Sequence, residues 1–414
     1  MQKKLYSGPV LVLGAIQLIE FIAYSITFSY FPHYAISLGS SVASVGLFTS
    51  SFMLMAALLS PVFGGLSDKA GRKKLMLLGL IGDVIFGTLS GLAPSWEWLL
   101  LIRTLNGAVS GAATISAQAL LVDLVPKNRR GEAMGFVMAC GTIGRNIGPV
   151  FGGFIQWRSE AEGLSLLDSY RIPYFVDAAL AVLAVLLVWW KIKGDRITVV
   201  SEQKSETRTE KVEISLSLKI LFVCAMITGV GVGFIMPISA LFYTDKFGAK
   251  PFEIGLIMSL SGFVGLFVGW IAGKISDKVG RKPMIALGGY SSRLATIALP
   301  FTADLGQASL LMPIQGLGFS VDRTGKEALL ADLAPVRARG RIFGLYRTFF
   351  DIGDIIGPIM ATYLYSVYRL ETFQVTNLII PGYAITFFVN AFLGLISTTI
   401  LLLFVKEPER AQRE

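Results

Sequence analysis

Apolar residues in this chain fall in long runs separated by short polar stretches, rather than in the alternation of a sheet or the half-polar stripe of a soluble helix. Each run holds about 20 residues or more, the length a helix needs to cross ~30 Å of hydrocarbon. Twelve spans are predicted, at 10–37, 42–66, 74–94, 97–123, 132–156, 172–192, 217–244, 251–275, 283–303, 306–332, 341–366 and 379–405. The first follows Lys3 and Lys4, as the core of a secretory leader would. It is too long for such a core and ends on no small-residue cleavage site, so it is read as a helix. One stretch, 193–215, is polar, mixed in charge and without an apolar run, which reads as a cytoplasmic linker. The predicted fold is an all-α membrane protein with a six-helix bundle at 1–192 and a second at 216–414.

Composition sharpens this. The 414 residues are 53% hydrophobic and 16% charged, with a mean hydropathy of +0.64. A soluble domain carries roughly 25% charged residues, so a soluble enzyme is excluded for want of polar surface. Two cysteines and one histidine leave no room for a disulfide scaffold or a multi-histidine metal centre, and no cofactor is expected. The net charge of +9 does not form the single basic stripe that nucleic acid requires. It sits in short clusters between spans. With both termini placed inside, 25 of the 37 Lys and Arg residues fall in inside segments and five in outside loops: Arg158, Arg171, Lys246, Lys250 and Arg369. That bias predicts cytoplasmic termini in a multi-pass protein of the cell membrane.

The chain also repeats itself. GGLSDKAGRKKL at 64–75 aligns with GKISDKVGRKPM at 273–284, an offset of 209. VDLVPKNRRGEAMG at 122–135 aligns with ADLAPVRARGRIFG at 331–344 at the same offset, and Gly148-Pro149 then falls on Gly357-Pro358. Two parallel six-helix halves with a substrate site near the midplane is a known transporter layout. The residues that carry a resemblance are these. GGLSDKAGRKKL resembles the loop signature between the second and third spans of the major facilitator superfamily, with Lys69 in place of an Arg. Arg103 to Gly107 resembles its fourth-span signature, with Asn106 for Gln. Gly135, Gly144, Gly148, Pro149, Gly152 and Gly153 match the fifth-span pattern of its twelve-span drug:proton antiporters at every fixed position, although Arg145 adds a charge inside it.

The resemblance implies alternating access, a small-molecule substrate, a proton gradient as driving force, and a monomer in the lipid bilayer. It implies that Gly65, Asp68, Gly71, Arg72 and Asp123, with Asp277, Gly280, Arg281 and Asp332 in the second half, form a gating motif that latches one transport state. A carboxylate at Asp68 serves no topological purpose in a positive loop, which favours that role. The glycines at 144, 148 and 152 recur every four residues and make one smooth stripe, either for plain helix packing or for a seam that slides. Pro149 removes a backbone hydrogen bond there.

Ionisable groups inside spans are functional candidates. Glu20, Arg103, Arg145, Asp322, Arg323, Lys326, Glu327, Asp351 and Asp354 are the candidates for proton coupling and substrate binding. Asp83, Asp177 and Arg293 lie on spans that the resemblance places outside the cavity, and read as structural. Asp322 with Lys326, and Arg323 with Glu327, are four apart and can close on one helix. Asp351 and Asp354 are three apart and share a face, with Arg145 or Arg347 as partner. Glu20 is alone in the first span, either protonated or paired with Arg103. Aromatic residues such as Phe21, Tyr24 and Phe28 suit lipophilic cations. The function expected is proton-coupled efflux of lipophilic small molecules or drugs. The alternative is a symporter or uniporter for an anionic or polar metabolite, bound by Arg103, Arg145 and Arg323.

Overall fold

The computed structural model describes residues 8–192, 214–375 and 377–407. The expected linker at 193–215 therefore lies almost wholly outside the described residues, as do Lys3, Lys4, Arg410 and Arg413. Thirteen α-helices make up nearly all of the described chain: α1 Gly8–Ser25, α2 Phe31–Ser37, α3 Val45–Ala70, α4 Arg72–Gly91, α5 Trp96–Leu124, α6 Arg130–Ala161, α7 Leu166–Lys191, α8 Leu216–Phe247, α9 Pro251–Val279, α10 Arg281–Ala298, α11 Leu305–Leu333, α12 Arg339–Tyr368 and α13 Ala384–Phe404.

Sequence accounts for many of the helix ends. Ser165, Ser215 and Asp304 cap α7, α8 and α11 by accepting the backbone N–H of Asp168, Leu218 and Gln307. Gly71 and Gly280 precede α4 and α10 with φ of 97° and 113°, a conformation that side chains resist. Pro126 and Pro335, again 209 apart, each lead through a one-turn 3-10 helix into α6 and α12.

Two expectations change. The first span is not one helix. It breaks between α1 and α2, and Pro32 sits in the first turn of α2, where its missing N–H costs nothing. In the break, Phe31 N–H reaches Thr27 O at 2.8 Å, and Ser29 Oγ donates to the Pro149 carbonyl at 3.1 Å. Nor does the last span, expected from 379, begin there: α13 starts at Ala384, and residues 379–381 before it are in a strand. They belong to an antiparallel hairpin, β1 Thr372–Val375 and β2 Leu378–Pro381, with Phe373 opposite Ile380. Pro149, by contrast, does not interrupt α6.

Eight of the described helices are long and apolar enough to cross a membrane. Their outward residues, such as Leu58, Phe267 and Leu403, are exposed and apolar. The predicted spans outside that group became α6, α10, α11 and α12. α6, α11 and α12 carry Arg145, the four charges at 322–327, and Arg347 with two aspartates; α10 carries Arg293.

The chain divides into two compact units. The first comprises the described residues of Met1–Ser40, Ser51–Glu210 and Lys250–Leu256; the second comprises those of Ser41–Ser50, Lys211–Ala249 and Ile257–Glu414. In the first, α1 packs along α6 and α4 along α5 and α7; in the second, α8 packs along α12 and α10 along α11 and α13. The core of the first runs through Leu13, Met76, Leu80, Leu120 and Val137, and that of the second through Leu221, Ile285, Leu329, Leu330 and Leu401.

Candidate functional site

In the first unit α1, α3, α4, α5, α6 and α7 surround a cavity of about 300 Å³. Helix periodicity explains which side chains reach it. On α1, Glu20 and Tyr24 are four residues apart and share one face, and Thr27 follows in the break just beyond it; on α5, Arg103, Asn106, Ser110 and Thr114 recur at three and four residues on one face. On α7 the face is Asp177, Ala181 and Ala184, where two alanines leave the space open. Asp83 enters from α4 and Arg145 from α6. Gly87 makes room for one of these acids: a methyl group there would lie 3.0 Å from Asp177 Oδ2.

The cavity thus holds three carboxylates and two guanidiniums. Glu20 was expected to pair with Arg103 or to stand protonated; among the described residues it forms no ion pair, and its Oε2 is buried without a hydrogen-bond partner. Asp83 and Asp177, read from sequence as structural, lie in the same cavity. The arginines rest on aromatic faces instead of acids. Arg103 stands 5.2 Å from the Phe31 ring centre and 5.3 Å from that of Phe52; Arg145 stands 5.0 Å from Phe21 and 5.9 Å from Tyr24. Arg103 Nε and Asn106 Oδ1 are also buried and unpartnered. No local sequence signal marked Asp83 and Asp177, because neither has an acid or base one turn away on its own helix.

The second unit holds its charges differently. Asp322 and Lys326 close at 2.8 Å on α11, both almost fully buried, and Lys326 Nζ also reaches Thr228 Oγ1 at 3.3 Å. Arg323 and Glu327 close at 2.8 Å but stay exposed. On α12, Asp351 takes Arg347 as its partner at 2.8 Å. Asp354 is buried near Gly233, where an added methyl would lie 3.2 Å from its Oδ1.

The repeated loop motif makes matching networks. In the first unit Arg72 pairs with Asp68, reaches Asp123 at 3.3 Å and donates to Ser67 Oγ at 3.1 Å. In the second Arg281 pairs with Asp277, reaches Asp332 at 2.9 Å and donates to Ser276 Oγ at 3.2 Å. The serines, also 209 apart, were not singled out in the sequence. Lys73, one of the basic residues of that loop, has a specific contact as well: its Nζ donates to the Trp189 and Ile192 carbonyls at 2.9 and 2.6 Å, satisfying the end of α7. Lys282 repeats this with Leu402 O at 2.8 Å.

The glycine stripe packs within the first unit. Methyl groups at Gly144, Gly148 and Gly152 would strike the α1 backbone at Leu18 and Ile22 and the turn at Ser25 and Ile26, and one at Gly153 would strike Pro251. Gly353 and Gly357 face Met226 and Val230 of α8 in the same way. Gly65 and Gly135 face open space.

The sequence profile of the Major Facilitator Superfamily matches residues 13–219 and 221–414. The chain belongs to this family. It is therefore a multi-pass membrane transporter of small molecules rather than an enzyme. It is 30% identical over 376 residues to the "Multidrug resistance protein MdtG" of Enterobacter lignolyticus, covering 86% of each chain. It is 29% identical over 361 residues to the protein of that name in Salmonella choleraesuis, covering 84% of this chain and 86% of that one. Among solved structures it resembles a bacterial homolog of the human lysosomal transporter Spinster, with a TM-score of 0.81, 18% identity and 97% of each chain covered. It also resembles a D-xylose-proton symporter, with a TM-score of 0.76, 16% identity, and 97% and 98% covered. At those identities the structures speak for the fold alone.

Proposed function

We propose that this transporter exports lipophilic cations or neutral drugs from the cell across its inner or plasma membrane, in exchange for protons and by alternating access. Both termini are cytoplasmic in this reading, and the monomer is the working unit. The observation that carries it is the first-unit cavity, where Glu20, Asp83 and Asp177 outnumber Arg103 and Arg145 among aromatic walls. A cation gains from the unpaired acids and from the rings, and a proton can take its place on the same carboxylates. The relatives named for multidrug resistance support the same reading. Glu20, Asp83 and Asp177 are the proposed coupling groups. Arg103 and Arg145 shape the wall, and the two arginine–aspartate networks gate.

The test is proton movement in proteoliposomes with a pH dye inside, driven by tetraphenylphosphonium or ethidium against an imposed gradient. Counterflow of protons that disappears in Glu20→Gln supports the antiporter. Uptake of benzoate or a sugar without proton counterflow, abolished by Arg145→Ala, would overturn it in favour of the metabolite carrier, to which the unpaired cavity arginines are suited.

A further inference from the structure

Beyond the residues that line the cavity, the first unit holds a group of buried phenols. Tyr30, at the break between α1 and α2, and Tyr174, on α7, are 0% and 1% exposed; the hydroxyl of Tyr30 is buried without a hydrogen-bond partner in the protein, and that of Tyr174 is buried with only the Thr27 side chain of the cavity beside it, in no well-formed hydrogen bond. Their rings meet edge to face, 6.4 Å between centres. Tyr170 stacks on Tyr30 at 5.4 Å, and Tyr34 lies 5.2 Å from Tyr174. The remaining members of the group are anchored: Tyr34 donates to Ser90 O at 2.7 Å, and Arg171 holds Asp168 and the Ala93 carbonyl, each at 3.2 Å.

The placement on α7 gives this group a direction. Tyr170, Tyr174 and Asp177 share one helix face with Ala181 and Ala184 of the cavity wall. At 1.5 Å per residue, Asp177 lies roughly 16 Å below the start of α7 at Leu166, and Tyr174 covers part of that depth. Asp177 is within electrostatic reach of Tyr30, Tyr174, Asp83 and Arg103, and Asp83 in turn of Glu20. Further out, Tyr170 feels Glu160, and Tyr34 feels Arg171. Titratable side chains thus run from the end of α6 and the first turns of α7, at the loop that joins them, to Glu20, all supplied by the first unit.

We infer that Tyr30 and Tyr174 relay protons between that loop end and the cavity carboxylates, along a path lined by the first unit alone. An unpartnered buried hydroxyl is normally satisfied by ordered water. In such a chain each phenol oxygen accepts a proton on a lone pair as it releases its own inward to Asp177. The O–H broken is matched by the O–H formed, and the phenol stays neutral. Arg103 beside them disfavours a positive charge resting on the phenols, so the proton passes on to the acids. The relay rests on the proposed proton coupling, but proton access to Asp177 can be measured without any transport.

The experiment uses full-length protein in liposomes and the infrared carbonyl band of its buried carboxyls after a pH jump on the loop side. The band is assigned with Asp177→Asn. Wild type is compared with Tyr30→Phe, Tyr174→Phe and the double variant, which keep the rings and remove only the hydroxyls. We expect the band to respond about tenfold more slowly in the double variant, while tetraphenylphosphonium binding stays within about twofold, since a lost proton carrier affects rate and not the site's shape. A single variant slows it less. A response at the wild-type rate in the double variant overturns the relay. If wild type responds but never moves protons with a substrate, the relay stands and the antiporter reading falls. If the double variant is lost from the membrane, Tyr174→Phe alone, against Tyr170→Phe as a neighbour whose hydroxyl is not orphaned, decides by the same rate.

Discussion

Glu20, Asp83 and Asp177 come from three helices of the first unit and meet in one cavity, whereas Asp322, Glu327 and Asp351 in the second unit each close on a base four residues away along one helix. Both units inherited the same fold from one repeat. Among the described residues, the first three acids form no ion pair and the last three each do. A carboxylate closed on its own helix is neutralised before any substrate arrives, and reopening it costs the pair. A carboxylate facing a cavity lined by rings has its charge still to be met by a proton or a cation. The densest charge in the sequence, at 322–327, is thus the most self-contained, and the sparse acids of the first half are the ones available for exchange.

This contrast is open to direct attack. The largest effect should come from the first unit: Glu20→Gln or Asp177→Asn should lower coupled proton flux on the order of 100-fold, the usual worth of a positioned proton-transfer group, while Asp351→Asn changes it by no more than about threefold. Equal losses in stopped-flow pH traces would erase the distinction. Next is Lys326→Met, which strands Asp322 at 1% exposure. Removing one partner of a buried pair costs about 3–5 kcal/mol, so the thermal midpoint in detergent should fall sharply, and Asp322→Leu combined with Lys326→Met should restore most of it. A smaller difference is expected between the repeated motifs. Arg281 is 11% exposed and its partner Asp332 17%, against 22% for Arg72 and 56% for Asp123. Arg281→Ala should therefore cost about 2 kcal/mol and Arg72→Ala under about 1 kcal/mol in chemical unfolding, since hydrogen bonds to buried charges are worth more than exposed pairs. Smallest is Arg323→Gln: that pair is about half exposed, and its loss should shift the same unfolding curve by less than about 1 kcal/mol.

A proline or a glycine can be read for what it permits, yet not always for where it is used. Pro32 can begin a helix, but that the first span breaks for five residues before it shows only in the fold, where Ser29 in the break meets the Pro149 carbonyl 120 residues away. The stripe at Gly144, Gly148 and Gly152 was legible as a packing surface by its spacing of four. Its partner, the α1 backbone of the same unit, was not, because spacing defines a face and not what lies against it.

The sequence by itself determined the apolar spans, the duplication at 209 residues, the family and the pairs at 322–327, whereas the reach of Arg72 to Asp123 and of Arg281 to Asp332 joins residues 51 apart on different helices. What the sequence determined depends on run length, on residues four apart on one helix, or on a motif that repeats. Only the tertiary structure decided that Asp83 and Asp177 join Glu20, that Arg103 and Arg145 lie on aromatic rings, that Lys73 and Lys282 close the ends of α7 and α13, and that buried tyrosines stand behind Asp177. The physical reason is that helix periodicity fixes which residues share a face, while the rotation and crossing of packed helices fix which faces meet. Those are set by the whole set of close approaches, glycine against backbone, and by no single segment of the chain.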